Sequence, residues 1–424
     1  MLISIKNLKW GIYVLIFTLP AYLIRFNIFD LPSTLLEGEI LLLFVVFLIL
    51  NFNKIKSFKF LEFFNKNKLL LVSCFLLLAS SIISIFVSPN FVSALGLWKA
   101  YFIEPILFLI IFVSVIKKDP PKAEAFSRAG DIKNIFKILS IQVLILSLFA
   151  IFQKLTGAFI SNPFWSAEAT RRVTSIFPYP NALALYLAPI IILLLGNFVR
   201  KIKNNFGNWK LKFGNYLEIV SCILGFISVY FTKSKGALIA LLVGIIFYAI
   251  FYKGYRKIFI TITVIALIAF ITIIAFNPVL IKGTSTVAGG DSISTRLDMW
   301  NETWQMLKTK PIFGAGLVGY QTAVAPFHTK DYIEIYLYPH NIFLNFWTEV
   351  GLLGLLAFIG IIFWFFKTGF SQIPNSKFQI LTMASMTTLL VHGLVDVPYF
   401  KNDLAILFWL LIGMMIIWRG GREV

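Results

Sequence analysis

The sequence predicts an all-α polytopic membrane protein with about twelve transmembrane helices and both termini in the cytoplasm. Three observations carry that expectation. The 424 residues are 59% hydrophobic and only 13% charged, whereas soluble chains carry about a quarter charged residues. Apolar stretches of about 18 residues or more, long enough to cross a bilayer, recur along the chain. Lys and Arg collect in alternate connections between those stretches, as the positive-inside rule requires.

The predicted spans lie near 8–25, 35–52, 69–88, 100–116, 138–154, 182–200, 217–232, 236–252, 258–276, 340–366, 379–397 and 404–418. The first follows Lys6 and Lys9 as a signal peptide would, but its apolar run is long and no small-residue cleavage site follows, so it reads as a retained helix. Cys74 and Cys222 fall inside apolar spans, where a thiol behaves as a small hydrophobe and implies no disulfide. With both termini inside, most of the 38 Lys and Arg fall in cytoplasmic segments, notably 54–68, 117–137, 200–212 and 253–257. Topology therefore explains most of the net charge of +19, and no nucleic-acid partner is required. No sequence repeat divides the helices into halves, as in many secondary transporters.

Residues 1–424 read as a single integral membrane domain, with outer loops at 155–181 and 277–339 and signature helices over 339–400. Loops this long are more often functional than idle. Within the second, "STRLDMWNETWQMLKTKP" places Leu297, Trp300, Trp304 and Leu307 on one helical stripe, with Asp298, Glu302 and Gln305 on other faces. That pattern predicts an interfacial amphipathic helix lying flat, begun by Thr295 and Asp298 and ended by Pro311. An ordinary helix packed on its neighbours has the same pattern.

Several chemistries lack a sequence handle: there is no Walker-type phosphate loop and no H-E-x-x-H zinc motif. "GAGLVG", residues 314–319, satisfies G-x-G-x-x-G but follows a helix instead of a strand, so tight turns explain its glycines better.

Arg171, Arg172, Lys233, Lys235 and Arg296 stand on outer segments, where the positive-inside rule disfavours them. Singly, each is explained by snorkelling to head groups. Together, they predict a cradle for an anion such as a lipid diphosphate. His340 follows Pro339, a favoured first helical residue, and is expected in the first turn, where the helix dipole disfavours an imidazolium. Two readings stand level: a neutral ring acting as general base, or a histidine hydrogen-bonded at a helix entrance. Asn341, Asn345 and Glu349 form a polar stripe expected to face the bundle interior. Glu349 lies about 14 Å deeper than His340 on the opposite face of a regular helix, and reads as a structural partner for a basic or polar group. Gly351 and Gly354 permit close helix approach. His392 and Asp396 share a face at i, i+4, either to orient an imidazole or to pack at a helix end, and two ligands make a poor metal site. His328 has no evident partner, and Glu37, Glu39 and Glu104 are left open to pairing with the outer cations.

Four patches, and a fifth beside them, resemble the bacterial O-antigen ligases and O-antigen polymerases. "PHNIFLNFWTEVGLLGL" (339–355) is similar to their His-Asn…Glu-x-Gly-x-x-Gly signature, and 295–320 to the Arg-Leu-x-x-Trp segment before it. "RVTSIFPYPNALALYL" (172–187) resembles the outer Arg…Phe-x-x-Pro-Asn motif and "SKGALIALLVG" (234–244) the Ser-Arg-Gly motif; "HGLVDVP" (392–398) is similar to the final outer patch. Lys235 stands where Arg is usual, which puts the phosphate-binding geometry in question, and Ser175 where Gly is usual. The resemblance implies a GT-C-like fold and a cofactor-free, metal-independent, inverting glycosyltransferase of cell-surface polysaccharide biosynthesis. It would work at the outer face of the cytoplasmic (inner) membrane, moving glycan from undecaprenyl diphosphate to a lipid or glycan acceptor. By position, His340 would be the base, while Arg172, Lys235 and Arg296, with Arg171 alongside, would bind the diphosphate. The competing class is a transporter or flippase of lipid-linked sugars, using the same cations without a base.

Overall fold

The computed structural model describes residues 7–29, 31–56, 67–116, 125–204, 213–252, 292–329, 334–371 and 377–418. The predicted span 258–276 and the start of the second long loop lie outside them. Long helices dominate: α1 (Leu8–Phe17), α2 (Leu35–Lys56), α3 (Lys68–Val87), α4 (Phe91–Ile116), α5 (Ala125–Thr156), α6 (Pro180–Asn204), α7 (Phe213–Phe231), α8 (Lys235–Phe251), α9 (Ser292–Thr309), α10 (Ile342–Ser371), α11 (Lys377–His392) and α12 (Asn402–Trp418). Five described helices are long and apolar enough to cross a membrane: α3, α4, the 130–156 part of α5, the 180–201 part of α6, and α10. Shorter apolar helices include α1, α8 and α12. The chain is a polytopic membrane protein.

Burial sorts the helices into layers. From Asn402 to Ile417 every residue of α12 is buried, and α6 is enclosed over most of its length. Helices apolar all round belong in the middle of a bundle. Around them α10 packs on α3, α7 on α5, α11 on α8 and α4 on α12, with α6 between α7 and α11. Phe75, Phe86 and Ile49 project outward from α3 and α2, where lipid is the natural solvent.

Three details depart from expectation. A two-stranded antiparallel hairpin, β1 (Arg25–Ile28) and β2 (Leu31–Thr34), pairs Arg25 with Thr34 and Ile28 with Leu31, so the chain is not strictly all-α. The first predicted span accordingly ends as a 3₁₀ turn, Leu19–Leu23, that leads into the hairpin. Thr34 then caps α2 reciprocally with Glu37: the Glu37 amide donates to Thr34 Oγ1 at 3.3 Å, and the Thr34 amide to Glu37 Oε2 at 3.2 Å, a capping box. Lys99 pairs with Glu37 and donates to Pro32 O at 3.1 Å, tying the hairpin to a π-helical turn in α4.

The second departure is in α9. Its buried face is Met299, Glu302, Thr303, Met306 and Leu307, whereas Leu297 and Trp304 are exposed. The expected stripe is thus split, because the chain after the helix folds back over Glu302, which accepts from the Thr329 amide (3.3 Å) and lies 3.1 Å from His328 Nδ1. His328 therefore has the partner that the sequence did not reveal.

Thirdly, α10 is broken at Gly351, whose φ of 75° and ψ of 177° are open to glycine alone. The break removes the helical bond between Thr348 O and Leu352 N. Both groups are satisfied by the "GAGLVG" neighbourhood: Ala315 N donates to Thr348 O at 2.7 Å, and Leu352 N donates to Ile312 O at 2.9 Å. The same loop brings Val318 N to Glu349 Oε2 at 2.8 Å. Orphaned backbone groups in a membrane interior are costly, so loop and break require each other.

Candidate functional site

The α10 entrance is stitched to the turn after α11. Asn341, not Pro339, begins the helix: its Oδ1 accepts from Phe343 N (3.0 Å) and Leu344 N (3.1 Å), while its Nδ2 donates to Leu394 O (3.0 Å). Ile342 N donates to Gly393 O at 2.7 Å. His340 stands one residue ahead of this cap with a φ of 47°, which corrects its expected place in the first turn. A short Asn side chain reaches the second and third amides of a helix, and Pro does not; the dipole argument for a neutral ring accordingly falls away.

What orients the ring is a carboxylate. His340 Nδ1 lies 3.4 Å from Asp396 Oδ1, with the imidazole partly exposed and the carboxylate buried. Tyr336 meets the imidazole edge-on, centroids 5.3 Å apart. Asp396 also accepts from the Val397 amide at 2.9 Å and from Asn181 Nδ2 at 3.3 Å. Burial alone raises the Asp396 carboxyl, but the hydrogen bond and charge of His340, the His392 ring and the Val397 amide outweigh it and hold the carboxyl well below the usual carboxylate range. The helical pairing of Asp396 with His392 is superseded: α11 ends at His392, whose Nδ1 is buried with no hydrogen-bond partner among the described residues.

From Asp396 the network runs on to a cation. Asn181 Oδ1 accepts from Arg172 Nη2 at 3.1 Å, and Arg172 Nε donates to Thr232 O at 2.8 Å. Arg296 Nε donates to Val395 O at 2.9 Å, one residue from Asp396. The Arg172 guanidinium is shifted down by burial and then by the charge of Arg296, so cations from two distant segments lie within electrostatic reach of each other. Lys233 joins them; burial lowers its ammonium, and the charges of Lys154 and Arg172 lower it further. Lys235 opens α8, whose next residue, Gly236, lies against Val395 and His392. Juxtaposed cations of this kind favour an anion between them.

Arg171 departs from the cluster. Its guanidinium donates to Ser166 O (3.0 Å), Lys154 O (2.9 Å) and Leu155 O (3.3 Å), satisfying carbonyls at the end of α5. Ser175, at the glycine position of its motif, has a φ of 51°, the left-handed region that glycine enters without cost; its amide and hydroxyl are held by Gln153 Oε1 (2.7 Å) and Leu146 O (2.9 Å). Glu349 is fully buried and holds the Val318 amide. Asn345 is buried on the same helix. Among the described residues, no group of three or more His, Cys, Asp or Glu is arranged to hold a metal ion.

The sequence offered Asn181 only as the last residue of the Arg…Phe-x-x-Pro-Asn resemblance, without a role, and did not point to Tyr336. Asn181 follows Pro180 at the start of a helix, where its residue type suggests a cap; only the tertiary contact shows that it joins Arg172 to Asp396.

Residues 220–359 match the family model described as O-antigen ligase. A Rickettsia conorii protein named "Putative polysaccharide ligase" is 22% identical over 132 residues, which cover 30% of this chain and 31% of that protein. The aligned stretch thus spans about a third of the curated relative. Lys233, Lys235, Arg296, His340 and Glu349 lie within the family match, while Arg172, Asn181 and Asp396 lie outside it.

Proposed function

We propose that this chain, whose residues 220–359 match the family model described as O-antigen ligase, transfers or polymerises glycan from an undecaprenyl-diphosphate carrier onto an acceptor hydroxyl. The observation that carries the proposal is the continuous path Arg172–Asn181–Asp396–His340, which couples an anion-binding guanidinium to an oriented imidazole. We place twelve spans in the bilayer with both termini inside, so that this end of the bundle faces outward.

In this mechanism Nδ1–H of His340 points to Asp396, which leaves the Nε2 lone pair for the substrate. The acceptor hydroxyl attacks the anomeric carbon of the donor sugar from the face opposite the phosphate. Its proton passes to Nε2 as the new C–O bond forms. The bond from the anomeric carbon to the phosphate oxygen breaks, and the electron pair leaves with undecaprenyl diphosphate. Arg172, Arg296, Lys233 and Lys235 stabilise the negative charge that grows on the leaving group. One displacement of this kind inverts the anomeric configuration, and no step requires a metal or cofactor. Holding donor and acceptor in one cleft supplies the remaining advantage through proximity.

The test uses the purified chain in detergent with an undecaprenyl-diphosphate-linked glycan and a glycan or lipid acceptor. The expected result is release of undecaprenyl diphosphate by the wild type and its loss in His340→Ala. Wild-type protein that moves the donor across a vesicle membrane without releasing the carrier would be a flippase, and the proposal would fall.

A further inference from the structure

Lys401 lies in the turn between Asp396 and α12. Its Nζ is shut off from solvent, has no hydrogen-bond partner among the described residues, and sits 3.8 Å from the centroid of the Tyr179 ring. A buried ammonium without hydrogen bonds is expensive to retain, and a cation over an aromatic face recovers only part of that cost. Its place in the chain suggests the reason for keeping it. Tyr179 stands two residues before Asn181, and Lys401 five residues after Asp396. The ring–ammonium contact therefore joins the same two segments that Asn181 and Asp396 join by a hydrogen bond of 3.3 Å.

We propose that Lys401 is a positioning residue for the transfer site: seated on Tyr179, it clamps the turn bearing Asp396 to the segment bearing Asn181. The inference rests on the proposed function for its catalytic meaning but not for its geometry. Lys401 is faced by Asp396 from its own turn, Asp403 from α12 and Arg25 from β1, and Tyr179 feels the same three charges together with Tyr101 from α4. Asp396 is faced in turn by His340 and His392, and His392 by Arg296. Within this set Lys401 feels the charge of Asp403 first and of Asp396 next, while its ammonium sits over the Tyr179 ring.

The decisive substitution is Lys401→Met, which keeps the length of the side chain and removes its charge. In detergent with defined donor and acceptor, the transfer rate is expected to fall about tenfold or more at unchanged KM for both substrates, with Lys401→Arg restoring most of it. A second readout is independent of activity. Carbethoxylation of His340 at fixed pH, followed by mass spectrometry, is expected to be faster in Lys401→Met, because a turn no longer clamped to Tyr179 holds Asp396 less firmly against the ring. If Lys401→Met does not fold, Tyr179→Leu, which removes the platform and keeps the ammonium, carries the same two expectations. An unchanged carbethoxylation rate in folded protein overturns the inference. So does a raised donor KM at unchanged kcat, which would put Lys401 in contact with substrate. Should the wild type release no carrier, the proposed function fails, while the carbethoxylation rate still decides the role of Lys401.

Discussion

His340 Nδ1 and Asp396 Oδ1 stand 3.4 Å apart although 56 residues separate them in the chain. The contact exists because the Asn341 cap and the Ile342 amide bind the carbonyls of Leu394 and Gly393, fixing the helix entrance against the turn. Asp396→Asn keeps the shape but offers an amide where the ring expects an acceptor. The transfer rate is expected to drop about 100-fold or more with little change in donor KM. A variant with wild-type kcat would remove Asp396 from the mechanism.

The same carboxylate sets an acid limit on stability. Its folded pKa is depressed, so its contribution is fully present above the unfolded carboxylate value of about 4 and is lost as pH falls through the folded one. The melting midpoint of the wild type in detergent is expected to fall on acidification below about pH 4. Asp396→Asn should show a shallower decline over that window. Parallel curves for the two proteins would show that Asp396 ionisation contributes nothing to folding.

The Arg172 guanidinium feels the positive charge of Arg296, and an anion bound between the two would relieve that repulsion. Inorganic pyrophosphate, a soluble stand-in for the diphosphate, is expected to raise the wild-type melting midpoint, since a ligand that binds only the folded state stabilises it. Arg172→Gln and Arg296→Gln should each lose most of the increase, whereas Arg171→Gln should keep it, because the Arg171 guanidinium already serves the carbonyls of Lys154, Leu155 and Ser166. An equal rise in all four proteins would refute the cradle.

The sequence made the helices legible because a bilayer demands long apolar stretches, and it made Arg172, Arg296 and His340 legible because cations and a lone histidine are conspicuous at the ends of such stretches. It could not show which guanidinium of the pair Arg171 and Arg172 reaches Asn181, since adjacent residues differ only in side-chain direction. Nor could it show that Asp396 serves His340 instead of His392: the helical i, i+4 relation is visible in the sequence, whereas a helix ending at His392 and a turn that redirects the carboxylate are tertiary facts. The break at Gly351 escaped for a related reason. Glycine near the middle of an apolar run signals close packing as readily as a left-handed residue.

Gly351 gives the sharpest test of the scaffold. Its backbone lies in a region that side chains avoid, and a Cβ added there would meet Ile312 O and the backbone of Phe313. Gly351→Ala must therefore either strain the break, at a cost of about 1–3 kcal/mol, or straighten α10 and restore the Thr348–Leu352 bond. Straightening would expel the 311–319 loop, leaving Ala315 N and Ile312 O without their partners and pulling Val318 N from Glu349. Either route lowers the melting midpoint in detergent, and the second also exposes 311–319 to limited proteolysis. Gly38→Ala on α2 is the control, because nothing among the described residues lies within 4 Å of its added Cβ and alanine favours a helix. If both variants melt with the wild type, and the loop stays protected, the mutual dependence of loop and break is wrong.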